Sequence, residues 1–172
     1  CNYRIAFKGN NRKFGFTNIN LGLMPGKGGL VRLTREIGIE QTLDFLLFEK
    51  SSNVKSLIEK GVLQNSADSL DELTSLAESF INKNQKYNQP WDVKDYKIPG
   101  GASYQNDNPS IIADYSARVF KKNLRNYPVY EAIISTITEG ASLSFDSASK
   151  IESRYYVKLV TGDVSKNLLG AH

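Results

Sequence analysis

The chain has 172 residues, enough to bury a real core in one domain or a little more. Hydrophobic residues make up 40% and charged residues 23%, which excludes a disordered polyelectrolyte. Lys and Arg number 22 against 18 Asp and Glu, a net +4 with no basic block and no basic stripe interleaved with aromatics, so no nucleic-acid partner is expected.

No apolar run approaches the ~20 residues that a membrane-spanning helix needs, and no charged-then-apolar leader is visible. The chain opens on Cys1 and its one methionine is Met24, so a piece of a longer protein is expected, with a processed mature form as the alternative. One cysteine allows no internal disulfide and fits a reducing, cytoplasmic setting. The one histidine is His172, so neither an all-protein zinc site nor a Ser-His or Cys-His pair is expected. Chemistry would fall to carboxylates, amides, lysines, tyrosines or backbone N–H groups.

In chain order, residues 2–7 alternate Tyr3, Ile5 and Phe7 with Arg4 and Ala6, a short strand. Residues 8–12 form a Gly/Asn turn, and Lys13-Phe14-Gly15-Phe16 a second strand. Two such strands cannot stand alone, so partners upstream are expected. The segment 21–29, Leu-Gly-Leu-Met-Pro-Gly-Lys-Gly-Gly, is a turn, and from Leu30 the apolar period becomes helical through Leu33, Ile37, Ile39, Leu43, Leu46 and Leu47, with a break at Gly38. A third helix runs from Val54 to Lys60 and ends at Gly61. A fourth, capped within residues 66–68, carries Leu70, Leu73, Ala77, Phe80 and Ile81 on one face. Residues 82–109 form a long Pro/Gly/Asn loop that Trp91, Tyr96 and Ile98 pin to the core. Helices follow over 110–124, 128–139 and 145–160, with Pro128 in a first turn and stops at Gly140 and Gly162.

The glycine turn invites comparison with phosphate loops. A dinucleotide fingerprint counted from Gly26 and Gly28 needs a third glycine where Val31 stands. A Walker loop needs Gly-Lys followed by Ser or Thr, but Gly28 follows Lys27 and Leu21 stands at the earlier glycine position. Two readings stay open: backbone N–H groups at the helix start that hold an oxyanion, water or acyl oxygen, or a plain tight turn with small residues for close packing.

Residues 1–6 (Cys-Asn-Tyr-Arg-Ile-Ala), 13–16 (Lys-Phe-Gly-Phe), 21–35 (Leu-Gly-Leu-Met-Pro-Gly-Lys-Gly-Gly-Leu-Val-Arg-Leu-Thr-Arg) and Gly38 resemble the second half of a crotonase (enoyl-CoA hydratase/isomerase) domain. Residues 89–92 (Gln-Pro-Trp-Asp) and 96–101 (Tyr-Lys-Ile-Pro-Gly-Gly) are similar to a segment of bacterial multifunctional fatty-acid oxidation proteins. In these a crotonase domain precedes an NAD-dependent 3-hydroxyacyl-CoA dehydrogenase. Tyr127-Pro128, Glu139-Gly140, Phe145-Asp146 and residues 151–162 continue the similarity, which is looser over residues 48–88.

The resemblance implies an α/β crotonase (ClpP-like spiral) fold, of which this chain is the mostly helical C-terminal half with two or so short strands at its start. Residues 1–65 would end the crotonase core, and residues 66–172 would form a helical region with the loop 82–109. It further implies an acyl-CoA thioester as substrate, no metal, no cofactor in this chain, and NAD only in a downstream domain. Oligomerisation or packing against that dehydrogenase domain is expected. Both oxyanion donors and the first glutamate of the family precede Cys1. Its second glutamate would stand at Asn18, which can hydrogen-bond but cannot act as a carboxylate base. Gly26 matches the glycine whose N–H faces the reacting water. Tyr156 falls near an aromatic position of the CoA pocket. Lys27 replaces a small residue and could meet a CoA phosphate or simply be exposed. Residues 61–64 depart from the family's Gly-Leu-Val-Asp, and no GxGxxG occurs. Alternatives are an acyl-CoA-binding domain without hydratase activity and a helical interaction module.

Overall fold

The computed structural model describes residues 2–9, 12–49, 51–122 and 124–171. Cys1 and His172, whose chemistry was weighed above, and Asn10 and Asn11 of the predicted turn lie outside these residues. The chain divides into two compact units, Cys1–Gly15 with Ser51–Tyr96, and Phe16–Lys50 with Lys97–His172.

In the first unit, strand β1 (Ile5–Phe7) finds a partner downstream. It pairs in parallel with β4 (Asn65–Ala67), placing Ile5, Ala6 and Phe7 beside Asn65, Ser66 and Ala67. Strand β2 (Lys13–Gly15) pairs antiparallel with β3 (Ser51–Asn53). Within this chain both N-terminal strands therefore find downstream partners, which the sequence pattern did not suggest. Both partner strands are Ser/Asn-rich and carry almost no β-propensity of their own, so only tertiary pairing makes them strands.

Helix α3 (Val54–Glu59) starts where the Asn53 side chain accepts from the Ser56 amide at 2.9 Å, and it ends at Gly61, in left-handed conformation at φ +79°. Helix α4 (Leu70–Lys83) starts later than the predicted cap. Ser69 Oγ accepts from the Glu72 amide at 3.1 Å, while Glu72 Oε2 accepts from the Asp68 amide at 2.7 Å. Its apolar stripe is narrower than predicted. Phe80 stacks on Tyr3 with centroids 4.2 Å apart, whereas Leu70 and Ile81 stay exposed and no residue of α4 is fully buried.

The second unit is a helical core. Helix α1 (Gly29–Ile37) stops at Gly38, where α2 (Ile39–Asp44) starts and runs into one wide turn over Phe45–Glu49. Only glycine fits at Gly38: φ is +83°, and a Cβ would lie 2.5 Å from the Pro99 carbonyl oxygen. Helices α5 (Asn108–Lys121), α6 (Pro128–Gly140) and α7 (Phe145–Thr161) follow the predicted pattern. Helix α6 packs on α1, α2, α5 and α7; it buries Val129, Ile133, Ile134 and Ile137, while α1 and α2 bury Leu30, Leu33, Ile37 and Leu43. Gly140 lets α7 approach closely, since a Cβ there would sit 3.2 Å from Ala148 Cβ. A last helix, α8 (Asp163–Gly170), was not predicted; it follows the stop at Gly162.

In the long loop Ile98 is buried as expected, while Trp91 and Tyr96 are half-buried. The tighter pin is Asn108, whose buried Nδ2 lies within hydrogen-bond reach of the carbonyls of Gly100, Gly101 and Ala102 at 2.9–3.1 Å. Among the described residues no helix is long and apolar enough to cross a membrane, and no group of three or more His, Cys, Asp or Glu could hold a metal ion.

One charged side chain lies wholly inside this unit. Glu152 of α7 is 0% exposed, and its two oxygens accept from the amides of Gly28 at 2.6 Å and Val31 at 2.9 Å. These are N–H groups that the first turn of a helix leaves without partners. Burial holds the carboxyl above its ordinary value of 4.5, and the amides of Val31, Gly28 and Leu30 with the Arg32 guanidinium draw it back only in part. A group raised in this way favours folding when protonated. Its contribution is therefore complete below pH 4.5 and is lost as the pH rises through the raised value. By urea titration across pH, the unfolding free energy of the intact protein should be level relative to that of its Glu152→Gln variant below pH 4.5 and fall relative to it as the pH rises. Parallel curves would contradict this assignment.

Candidate functional site

The site grows from the sequence 22–29. Gly22 ends the 3-10 segment Thr17–Leu21 at φ +72°, and its amide bonds to the Ile19 carbonyl at 3.0 Å. Met24 and Pro25 are buried and anchor the loop to α6 through a 3.8 Å contact between Thr136 Oγ1 and Met24 Sδ. The chain then reverses in four residues. Lys27 and Gly28 are both left-handed, at φ +54° and +77°, and the Gly29 amide bonds back to the Gly26 carbonyl at 3.0 Å. Two successive positive φ values closed by that bond make a type I′ turn. A Cβ on Gly28 would fall 2.6 Å from Arg32 Nη1, so a side chain there would displace the Arg32 guanidinium. That guanidinium donates to the Lys27 carbonyl at 2.8 Å and lies over the Phe145 ring at 5.0 Å.

Of the residues singled out from the sequence, Gly26 and Tyr156 come together. A Cβ on Gly26 would lie 3.0 Å from the Tyr156 ring carbons, so the ring occupies the space that a side chain at position 26 would fill. Both are half-exposed at the surface of the turn. Lys27 stands beside them and points into solvent. Asn18 is on the 3-10 turn that leads into the loop. It is exposed, and its carbonyl accepts the Leu23 amide at 3.1 Å.

The residue that the sequence reading missed is Glu152. With the Gly28 and Val31 amides bonded to it and the Gly29 amide bonded to Gly26, the start of α1 is not an open anion site. Between the two readings of the turn, this end of the helix follows the packed one. A signal existed. Glu152 stands four residues after Ala148 and four before Tyr156, on the stripe that α7 turns inward, where a charge requires an internal partner.

A separate cleft of about 440 Å³ opens between α6, α7 and α8, with Ala132, Ser135, Tyr155, Lys158 and Leu159 on its walls. The Tyr155 hydroxyl donates to Glu139 at 2.5 Å, and this bond with burial holds the phenol above its ordinary range. None of Asn18, Gly26, Lys27 or Tyr156 lines that cleft.

The chain matches no family model. It is 28% identical over 170 residues to the fatty acid oxidation complex subunit alpha of Vibrio parahaemolyticus, a match that covers 98% of this chain and 24% of the relative. The same subunit of Vibrio campbellii is 26% identical over 168 residues, covering 98% of this chain and 23% of that one. In Aliivibrio fischeri it is 28% identical over 159 residues, with 92% and 22% covered. The chain thus spans about a quarter of the length of these curated relatives. Among solved structures, enoyl-CoA hydratase from Bacillus halodurans superposes with a TM-score of 0.57 at 20% identity, over all of this chain and 53% of the hydratase. The chain has the crotonase fold of that hydratase, as its mostly helical C-terminal part, and is similar along nearly its whole length to a segment of the fatty acid oxidation alpha subunit.

Proposed function

We propose that this chain is the C-terminal part of a crotonase domain in an acyl-CoA-processing enzyme of fatty-acid β-oxidation, which hydrates or isomerises enoyl-CoA thioesters. The observation that carries this reading is the contact between Gly26 and the Tyr156 ring. The family resemblance matches Gly26 to the glycine that faces the reacting water and puts Tyr156 near an aromatic position of the CoA pocket, and the two are in contact although 130 residues separate them. Similarity to the alpha subunits over 98% of the chain supports the same assignment.

In this reading the Gly26 amide donates to the reacting oxygen, and Tyr156 closes the pocket beside it. The exposed Lys27 meets a phosphate of CoA. The oxyanion donors and a first glutamate come from the preceding half of the domain. NAD belongs to a dehydrogenase domain elsewhere in the protein, on which the helical face of this chain, or that of a sister subunit, packs. The setting is the cytoplasm.

Asn18 favours a second reading, in which the domain binds acyl-CoA without efficient hydration. An amide cannot take the proton that a carboxylate would, and a positioned acid/base contributes about 10²–10⁴-fold in rate. One remaining upstream glutamate would then support isomerisation or another one-carboxylate reaction.

Titration of the intact protein with an acyl-CoA tests the first reading; saturable binding is expected, and its absence would contradict both. Enoyl-CoA hydration assays of the protein and of Asn18→Glu then separate the two. A gain of about 10²-fold in the variant supports the binding reading, whereas high activity of the unchanged protein removes it. Lys27→Gly should relieve the left-handed backbone strain at that position and stabilise the fold by roughly 1 kcal/mol. It should also weaken acyl-CoA binding, which calorimetric titration and melting can measure on one sample.

A further inference from the structure

We infer that Glu152 is the positioning residue of the Gly26 amide, and that α7 grips the glycine turn at both ends. This rests on the acyl-CoA reading of the turn.

The turn needs an external hold. Two adjacent residues are left-handed, and one of them, Lys27, is not glycine, so the loop would relax if released. α7 supplies three points of contact. The Tyr156 ring lies against Gly26. One helical turn earlier on the same face, Glu152 binds the amides of Gly28 and Val31, one with each oxygen. At the start of α7, the Phe145 ring carries the Arg32 guanidinium, which in turn binds the Lys27 carbonyl. The Lys27–Gly28 peptide unit, one residue on from Gly26, is therefore held at its amide by Glu152, from a helix more than a hundred residues downstream, and at its carbonyl by Arg32.

The carboxyl is chemically specific here. Two N–H groups need two acceptor oxygens, and a fully buried side chain has no water to substitute. A glutamine has the same size but only one acceptor oxygen, and its NH₂ group would face a second donor. Glu152→Gln therefore releases one amide without emptying the site. Because Gly26 addresses the reacting atoms and not the body of CoA, the loss should appear in turnover rather than in binding.

The test uses the intact protein and Glu152→Gln at a temperature well below unfolding. Enoyl-CoA turnover and hydrogen exchange of the peptide covering residues 24–32 are both measured. The inference expects kcat to fall about tenfold with KM held within about twofold. It also expects faster amide exchange across residues 26–31. A lower melting temperature with unchanged kcat and unchanged exchange in that peptide would make Glu152 a helix cap only and would overturn the inference. If the wild type neither binds nor turns over acyl-CoA, the acyl-CoA reading fails by itself. Exchange then decides the hold alone: acceleration supports it and no change overturns it. Should Glu152→Gln not fold, Glu152→Asp, which keeps two oxygens on a shorter arm, is read by the same criteria.

Discussion

A carboxyl shut away from water between two backbone amides determines where the glycine turn can be. Glu152 has no solvent to fall back on, so it must keep the Gly28 and Val31 amides, and those amides open α1. An unmade bond to a buried charged or polar group costs more than an ordinary hydrogen bond gains, which makes this contact hard to break and hard to shift. The alternatives for the chain around it are then few. Lys27 and Gly28 accept left-handed backbone, Arg32 folds back over the turn, and Gly26 is left with the Tyr156 ring where a side chain would otherwise be. The packing of α6 between α1 and α7 holds both parties to the contact in place, with Gly140 against Ala148 setting how closely α7 approaches.

This arrangement assigns different tasks to residues that look alike on paper. Gly28 and Gly38 are glycines because the backbone has positive φ, and at Gly38 a Cβ would also collide with the Pro99 carbonyl. Gly26 is a glycine because an aromatic ring occupies the space beside it. Tyr155 and Tyr156 are neighbours in sequence, yet α7 sends one to Glu139 at the cleft beside α6 and α8 and the other to the glycine turn. A helix presents successive residues about 100° apart, so adjacent tyrosines need not share a function.

The sequence was most legible where local chemistry decides the structure. The Pro-Gly-rich turn, the change to helical period at Leu30, the stop at Gly38 and the start of α6 at Pro128 all appear as read, because caps and breakers act within a few residues. The crotonase fold was legible through resemblance, not periodicity. What could not be read is what distant contacts decide. Ser51–Asn53 and Asn65–Ala67 are strands only because β2 and β1 lie beside them. The cap of α4 moved to Ser69 because Glu72 is placed to pair with it. Glu152 looked like one more acidic residue on a charged helix, and its partners lie at the other end of the chain. Asn18 was legible as a departure from the expected glutamate.

The most direct measurement is a crystal structure of the intact protein with an unreactive acyl-CoA analogue bound. The account predicts that the reacting end of the acyl group lies next to the Gly26 amide, either directly or through one water. The Tyr156 ring should border it, and Glu152 should still hold the Gly28 and Val31 amides. A ligand bound away from the Met24–Gly29 turn, or a turn that opens and abandons Glu152 when the ligand binds, would contradict it.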